Sequence, residues 1–131
     1  MSRTSTTSGS PYEASIGFCR AVRMGNTIAV AGTGPISADG KTAAPGDAYG
    51  QAKRCLEIIA QAIADLGGTA EDVVRTRMYL VNVEDWEAVG RAHGDIFVKI
   101  KPAATMLAVN RLISDDWLVE IEADCVVEAR S

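Results

Sequence analysis

The apolar positions of this chain follow two periods. Ala48, Ala52, Cys55, Leu56, Ile59, Ile63 and Leu66 recur at helical spacing and form one stripe, over about five turns. Asp47, after Pro45-Gly46, is placed to cap the start of this helix, and Gly67-Gly68 to stop it. A second stripe, Trp86, Val89, His93 and Phe97, predicts a helix beginning at Asn82. Asp85, three residues on, makes an imperfect capping box, and Pro102 closes the segment. Elsewhere the period is two. Residues 19–24 and 27–33 read as strands joined at Gly25-Asn26, with Ile28 and Val30 on one side of the second. Gly32-Thr33-Gly34-Pro35 ends that strand, and Ala38-Asp39-Gly40-Lys41 is a turn. Residues 73–81, 105–112 and 118–128 complete the set of strands.

The order ββαβαββ predicts an α+β fold in which two helices cover one face of a single sheet. The last strand shows what the other face is like. Val119, Ile121, Ala123, Cys125 and Val127 point one way and suit the helices; Leu118, Glu120, Glu122, Asp124 and Val126 point the other way. Three acids on one stripe are too polar for a closed core and suit solvent or a wet cleft between subunits. In the third strand, Arg75, Arg77 and Tyr79 oppose Thr76, Met78 and Leu80, so the arginines are expected on the acidic side.

At 131 residues the chain is read as one domain, residues 13–131, preceded by a flexible Ser/Thr/Gly-rich tail, residues 1–12. The tail lacks the apolar core of a secretory signal, and no apolar run reaches the roughly 18–20 residues that span a bilayer. A net charge of −4 argues against a nucleic-acid partner, which needs clustered Lys and Arg. Cys19, Cys55 and Cys125 have no metal spacing and read as free thiols of a cytoplasmic protein.

The phrase Lys101-Pro102-Ala103-Ala104-Thr105-Met106, followed by Leu118-Val119-Glu120-Ile121-Glu122-Ala123, resembles the C-terminal signature of the Rid (YjgF-type) family. Earlier phrases agree in order: Phe18-Cys19-Arg20-Ala21-Val22 before Gly25-Asn26, then Ala31-Gly32, then Asp72-Val73-Val74-Arg75-Thr76. The resemblance spans about Gly17 to Val127. It implies a chorismate-mutase-like fold with a mixed sheet, a homotrimer with sites in clefts between subunits, and hydrolysis of reactive imines or enamines without a cofactor. It also implies roles. Glu120 corresponds to the catalytic acid, Gly32 to a substrate-binding backbone, Met106 to a backbone N–H donor, and Phe18 to an aromatic packing residue, usually tyrosine. Four polar side chains of the family pattern are absent. Ala104 stands for the motif arginine that holds a carboxylate, Gly90 for an asparagine, Ala31 for a serine, and Phe18 lacks the hydroxyl.

Glu120 is the expected catalytic residue, because a carboxylate in a partly apolar cleft can accept a proton from water and hold that water for attack. Glu122 and Asp124 are read as a solvated acidic face. Two roles are open to Arg77: a replacement anchor for a substrate carboxylate, since a guanidinium binds planar anions with paired hydrogen bonds, or an ion-pair partner for the acids of the neighbouring strand. Thr105 could offer a hydroxyl to a ligand or simply start a strand. Arg20 and Arg111 are read as surface or intersubunit charges. His93, the only histidine, is expected to pack and hydrogen-bond on its helix; without a second histidine or a cysteine pair no zinc site is expected. Cys125 is expected in the core, and Trp86 and Trp117 as packing and loop-cover residues. The function expected is hydrolysis of a small imine, enamine or related carbonyl-like compound, with a substrate that does not depend on an arginine at position 104. The alternative is a non-catalytic ligand-binding or chaperone-like homotrimer. A ribonuclease role, an older label of the family, fits neither the net charge nor the lone histidine.

Overall fold

The computed structural model describes residues 2–10 and 12–128. Its elements are β1 (Arg3–Thr6), β2 (Ala21–Met24), β3 (Thr27–Thr33), α1 (Ala48–Asp65), β4 (Val73–Leu80), α2 (Trp86–Phe97), β5 (Ala103–Ala108) and β6 (Val119–Val126). They form one six-stranded sheet in the order β1-β2-β3-β6-β4-β5. All pairs are antiparallel except β4 with β5, which is parallel. The fold is therefore α+β with a mixed sheet, as the sequence predicts.

The helix stripe of α1 is buried along its whole length, and Asp47 caps it by accepting from the Gly50 N–H at 3.0 Å. Gly67 takes a left-handed φ of 85°, which lets the chain leave the helix while Gly68 N–H donates to the Ile63 carbonyl. Ile28, Val30, Met78, Leu80, Val119, Ile121, Ala123 and Cys125 meet α1 and α2 from the sheet, and one apolar core results. Among the described residues no helix is long and apolar enough to cross a membrane.

Four expectations need correction. Residues 3–6, read as part of a flexible tail, form β1 and pair with β2 from Arg3↔Met24 to Thr6↔Ala21. Their Thr and Ser side chains suit an exposed edge strand, and the unpaired edge of β2 supplies the partner. Of the residues divided into tail and domain, Met1, Pro11 and residues 129–131 lie outside those described. The strand expected over 105–112 instead runs Ala103–Ala108, because its only partner among the described residues, β4, ends at Leu80. The second helix starts later than Asn82. A 3-10 turn at Val83–Asp85 leads into it, and the Asn82 side chain makes no cap. Trp86 is 56% exposed rather than packed. It stands in the first turn of α2, beside an open apolar cleft lined by Leu80, Val83, Met106 and Leu107.

Candidate functional site

The uncovered face of the sheet carries Glu120, Glu122 and Asp124 from β6, and Arg77 and Tyr79 from β4 in register beside them. Arg77 Nη1 lies 3.4 Å from Glu122 Oε1 and 3.2 Å from Asp124 Oδ2. The Tyr79 hydroxyl donates to Glu122 at 2.7 Å. Glu122 and Asp124 are thus engaged across the sheet, and so is the charge of Arg77. Of the two roles open to Arg77 in the sequence, the cross-strand partner is the one its contacts describe.

Glu120 differs from its neighbours. It is half-buried, and no hydrogen bond from a described residue reaches its carboxylate. Burial raises its carboxyl above the ordinary value; Arg20 opposes that shift and Glu122 adds to it. Gly32 lies against it: a Cβ there would collide with Glu120 Oε2. This approach comes from a bulge. Strict alternation would place Gly32 on the core side with Ile28 and Val30. The register of β3 against β6 shifts between Val30 and Thr33, which turns Thr33 into the core and Gly32 toward Glu120.

Arg20 is the residue that sequence reasoning undervalued. Far from being a surface charge, its Nη2 donates to the Gly32 carbonyl at 2.5 Å, and its Nε is buried with no hydrogen-bond partner among the described residues. Burial lowers its pKa, against the pull of Glu13 and Glu120. Glu13, which the sequence gave no reason to single out, accepts from Thr7 Oγ1, Ser8 N and Ser8 Oγ. Led by the Thr7 bond, these contacts lower its pKa to about 2. The signal for Arg20 was weak: an arginine directly before the buried Ala21, at the entrance to a strand.

The remaining expected residues fall into two groups. Phe18, 36% exposed, precedes Arg20 on the segment entering β2. Ala104 and Met106 belong to the edge strand β5, in register with Thr76 and Met78, whose side chains face the helices. Gly90 of α2 lies over Met106, where an added Cβ would come within 3.9 Å of Cε. Thr105 is exposed opposite Arg77. Gly32 and Glu120 are therefore brought together, whereas Gly90, Ala104 and Met106 gather on the other side of the sheet, beyond β4.

The other sequence candidates hold structural places. His93 Nε2 is 2.8 Å from Thr76 Oγ1 and its ring is 4.6 Å from that of Phe97; burial lowers its pKa. Cys125 is fully buried, and burial pushes its thiol up to about 12, which suits a core residue rather than a nucleophile. Arg111 pairs with Asp115 at 2.8 Å on the surface. Trp117 covers Gly34, leaving no room there for a side chain.

The chain is similar to known proteins. The Endoribonuclease L-PSP family matches residues 9–127. An uncharacterized protein of Streptomyces coelicolor is 41% identical over 117 residues, 89% of this chain and 87% of its own. The 3-aminoacrylate deaminase RutC of Acinetobacter baylyi is 28% identical, over 79% of this chain and 82% of its own. Among solved structures, a member of the YjgF/YER057c/UK114 family from Mycobacterium tuberculosis is 42% identical with a TM-score of 0.86, covering 96% of this chain and 100% of that one. The chain belongs to the Endoribonuclease L-PSP family, also called YjgF or Rid.

Proposed function

We propose that this protein hydrolyses a small reactive imine or enamine to a carbonyl compound and ammonia, with Glu120 handling the water. The observation that carries this reading is the state of Glu120. It is the one acid of its stripe without a hydrogen-bonding partner among the described residues, half-buried, with its carboxyl raised above the ordinary range. A carboxylate in that condition is a better proton acceptor than an exposed one, and its pKa moves toward the working pH of a general base. Imine carbon is already electrophilic, so a positioned water and a proton acceptor suffice. The RutC similarity, at 28% identity, points to the same chemistry.

The substrate we favour lacks a carboxylate, or holds it away from position 104. Ala104 offers no charge, and Arg77 is bound to Glu122 and Asp124. A charge-assisted hydrogen bond contributes roughly 1.5–3 kcal/mol, so its loss would cost an anionic substrate about one to two decades of affinity or rate.

The working unit we propose is a homotrimer of cytoplasmic chains, with the site in the cleft between subunits. Glu120 with Gly32 and Gly90 with Met106 lie on different sides of one sheet, and would meet only if the β5 edge of one copy lay against the open face of another. The exposed apolar residues Val83, Trp86 and Leu107 along that edge favour such a contact. Sedimentation velocity should give a trimer; a stable folded monomer would remove the cleft.

The test of activity is ammonia release from freshly generated imines, with and without a carboxylate, by wild type and Glu120→Gln. Turnover that disappears in the variant supports the reading. No turnover on any imine favours the alternative, a ligand-binding trimer, which the loss of polar side chains at Phe18, Ala31, Gly90 and Ala104 also favours. The family name of ribonuclease gains nothing from the net charge of −4.

A further inference from the structure

The mechanism so far gives Arg20 nothing to do, yet its position is unusual. The guanidinium is anchored on the carbonyl of Gly32, the same residue whose lack of a Cβ leaves room for Glu120 Oε2. Cation and carboxylate thus sit about one glycine. They interact electrostatically without a direct ion pair. The arginine also leaves its Nε–H buried and unpaired among the described residues, a costly arrangement for a side chain whose purpose is only to brace backbone. A glutamine could make the Gly32 contact more cheaply.

The other groups around Glu120 either oppose its ionisation or are neutral. Glu122, two residues away on β6, is a like charge. Tyr79 lies opposite it on β4, with its hydroxyl given to Glu122. Cys55 of α1 is close enough to feel the Glu120 charge, and burial keeps its thiol protonated. Arg77, on the neighbouring strand β4, is taken up by Glu122 and Asp124. Arg20 is left as the cation that favours a charged Glu120, and Glu13 also interacts with its charge.

We propose that Arg20 is the positioning residue of this pocket: from its seat on the Gly32 carbonyl it keeps the Glu120 carboxylate charged and ready to accept a proton. The role rests on Glu120 being the group that acts on water. A consequence follows for ligand choice. Because the charge of Arg20 is matched by Glu13 and Glu120, it is not spare for a substrate anion, which agrees with an uncharged substrate.

The test is the titration of the Glu120 carboxyl carbon by NMR in wild type, Arg20→Gln and Arg20→Lys. The glutamine variant should move the midpoint to higher pH, and the lysine variant should return most of the shift. An unmoved midpoint in folded Arg20→Gln overturns the proposal. Should that variant fail to fold, the wild type still decides. The Arg20 Nε nitrogen resonance should follow the ionisation of Glu120 and lose that inflection in Glu120→Gln; a resonance without the inflection overturns the role equally. On an imine substrate, the acid limb of the pH–rate profile of Arg20→Gln should move with the midpoint, with roughly tenfold lower activity at its acid end. The two readings fail separately. A moved midpoint without imine turnover keeps the role of Arg20 and removes the imine. Turnover with an unmoved midpoint removes Arg20 alone.

Discussion

At Gly32 an added Cβ would collide with Glu120 Oε2, so the approach is between a backbone and the far end of a flexible side chain. A Gly32→Ala substitution should therefore leave the fold nearly intact, at a cost of roughly 1 kcal/mol as the glutamate swings aside. The same displacement should lower turnover roughly a hundredfold, since a misplacement of about 1 Å is worth that much. Urea unfolding beside steady-state kinetics would separate the two effects, and full activity in the alanine variant would show that the close approach is incidental. Sequence alone supplied both residues through their resemblance to family positions. Their contact depended on a bulge that no alternation reveals, because it is defined only by the register of β3 against β6.

At the scale of elements, the loop entering β6 is held by α1. Gln51 is fully buried on that helix; its Nε2 donates to the Asp116 carbonyl at 3.0 Å and its Oε1 accepts from Leu118 N–H at 2.7 Å. These bonds fix where β6 begins, at Val119, and so where Glu120 falls one residue later. Gln51→Leu would keep the volume but leave a buried amide and a carbonyl unpaired, for a loss of about 2–4 kcal/mol. A lower urea midpoint with unchanged m-value would show this; an unchanged midpoint would mean that solvent reaches those groups. The helix stripe around Gln51 was legible in the sequence, because seven apolar side chains share one period. Gln51 itself was not, since a polar residue on that stripe looks like an exposed position until its partners, 65 and 67 residues away, are known.

For the whole molecule, Glu120 is a cost to stability. Its carboxyl is raised from 4.5, so the folded state holds the proton more tightly than the unfolded chain. That contribution is complete below the unfolded value and is lost as pH rises through the folded one. Glu120→Gln should therefore melt higher than wild type at neutral pH. The gain should be no more than about 4 °C, because solvent screens part of the carboxylate. The two curves should converge below pH 4.5; calorimetry across that range checks the sign, and a variant that melts lower at neutral pH would mean that attraction to Arg20 outweighs burial. The sequence by itself determined the two helices, the strands of the core, the uncovered acidic face and the family, because each is written in local periodicity or in contiguous phrases. Only the tertiary structure decided that residues 3–6 close one edge of the sheet, that Arg77 belongs to Glu122 and Asp124, and that Arg20 shares Gly32 with Glu120. Those outcomes depend on register and on which strands become neighbours, and a one-residue bulge is enough to reverse which face a side chain meets.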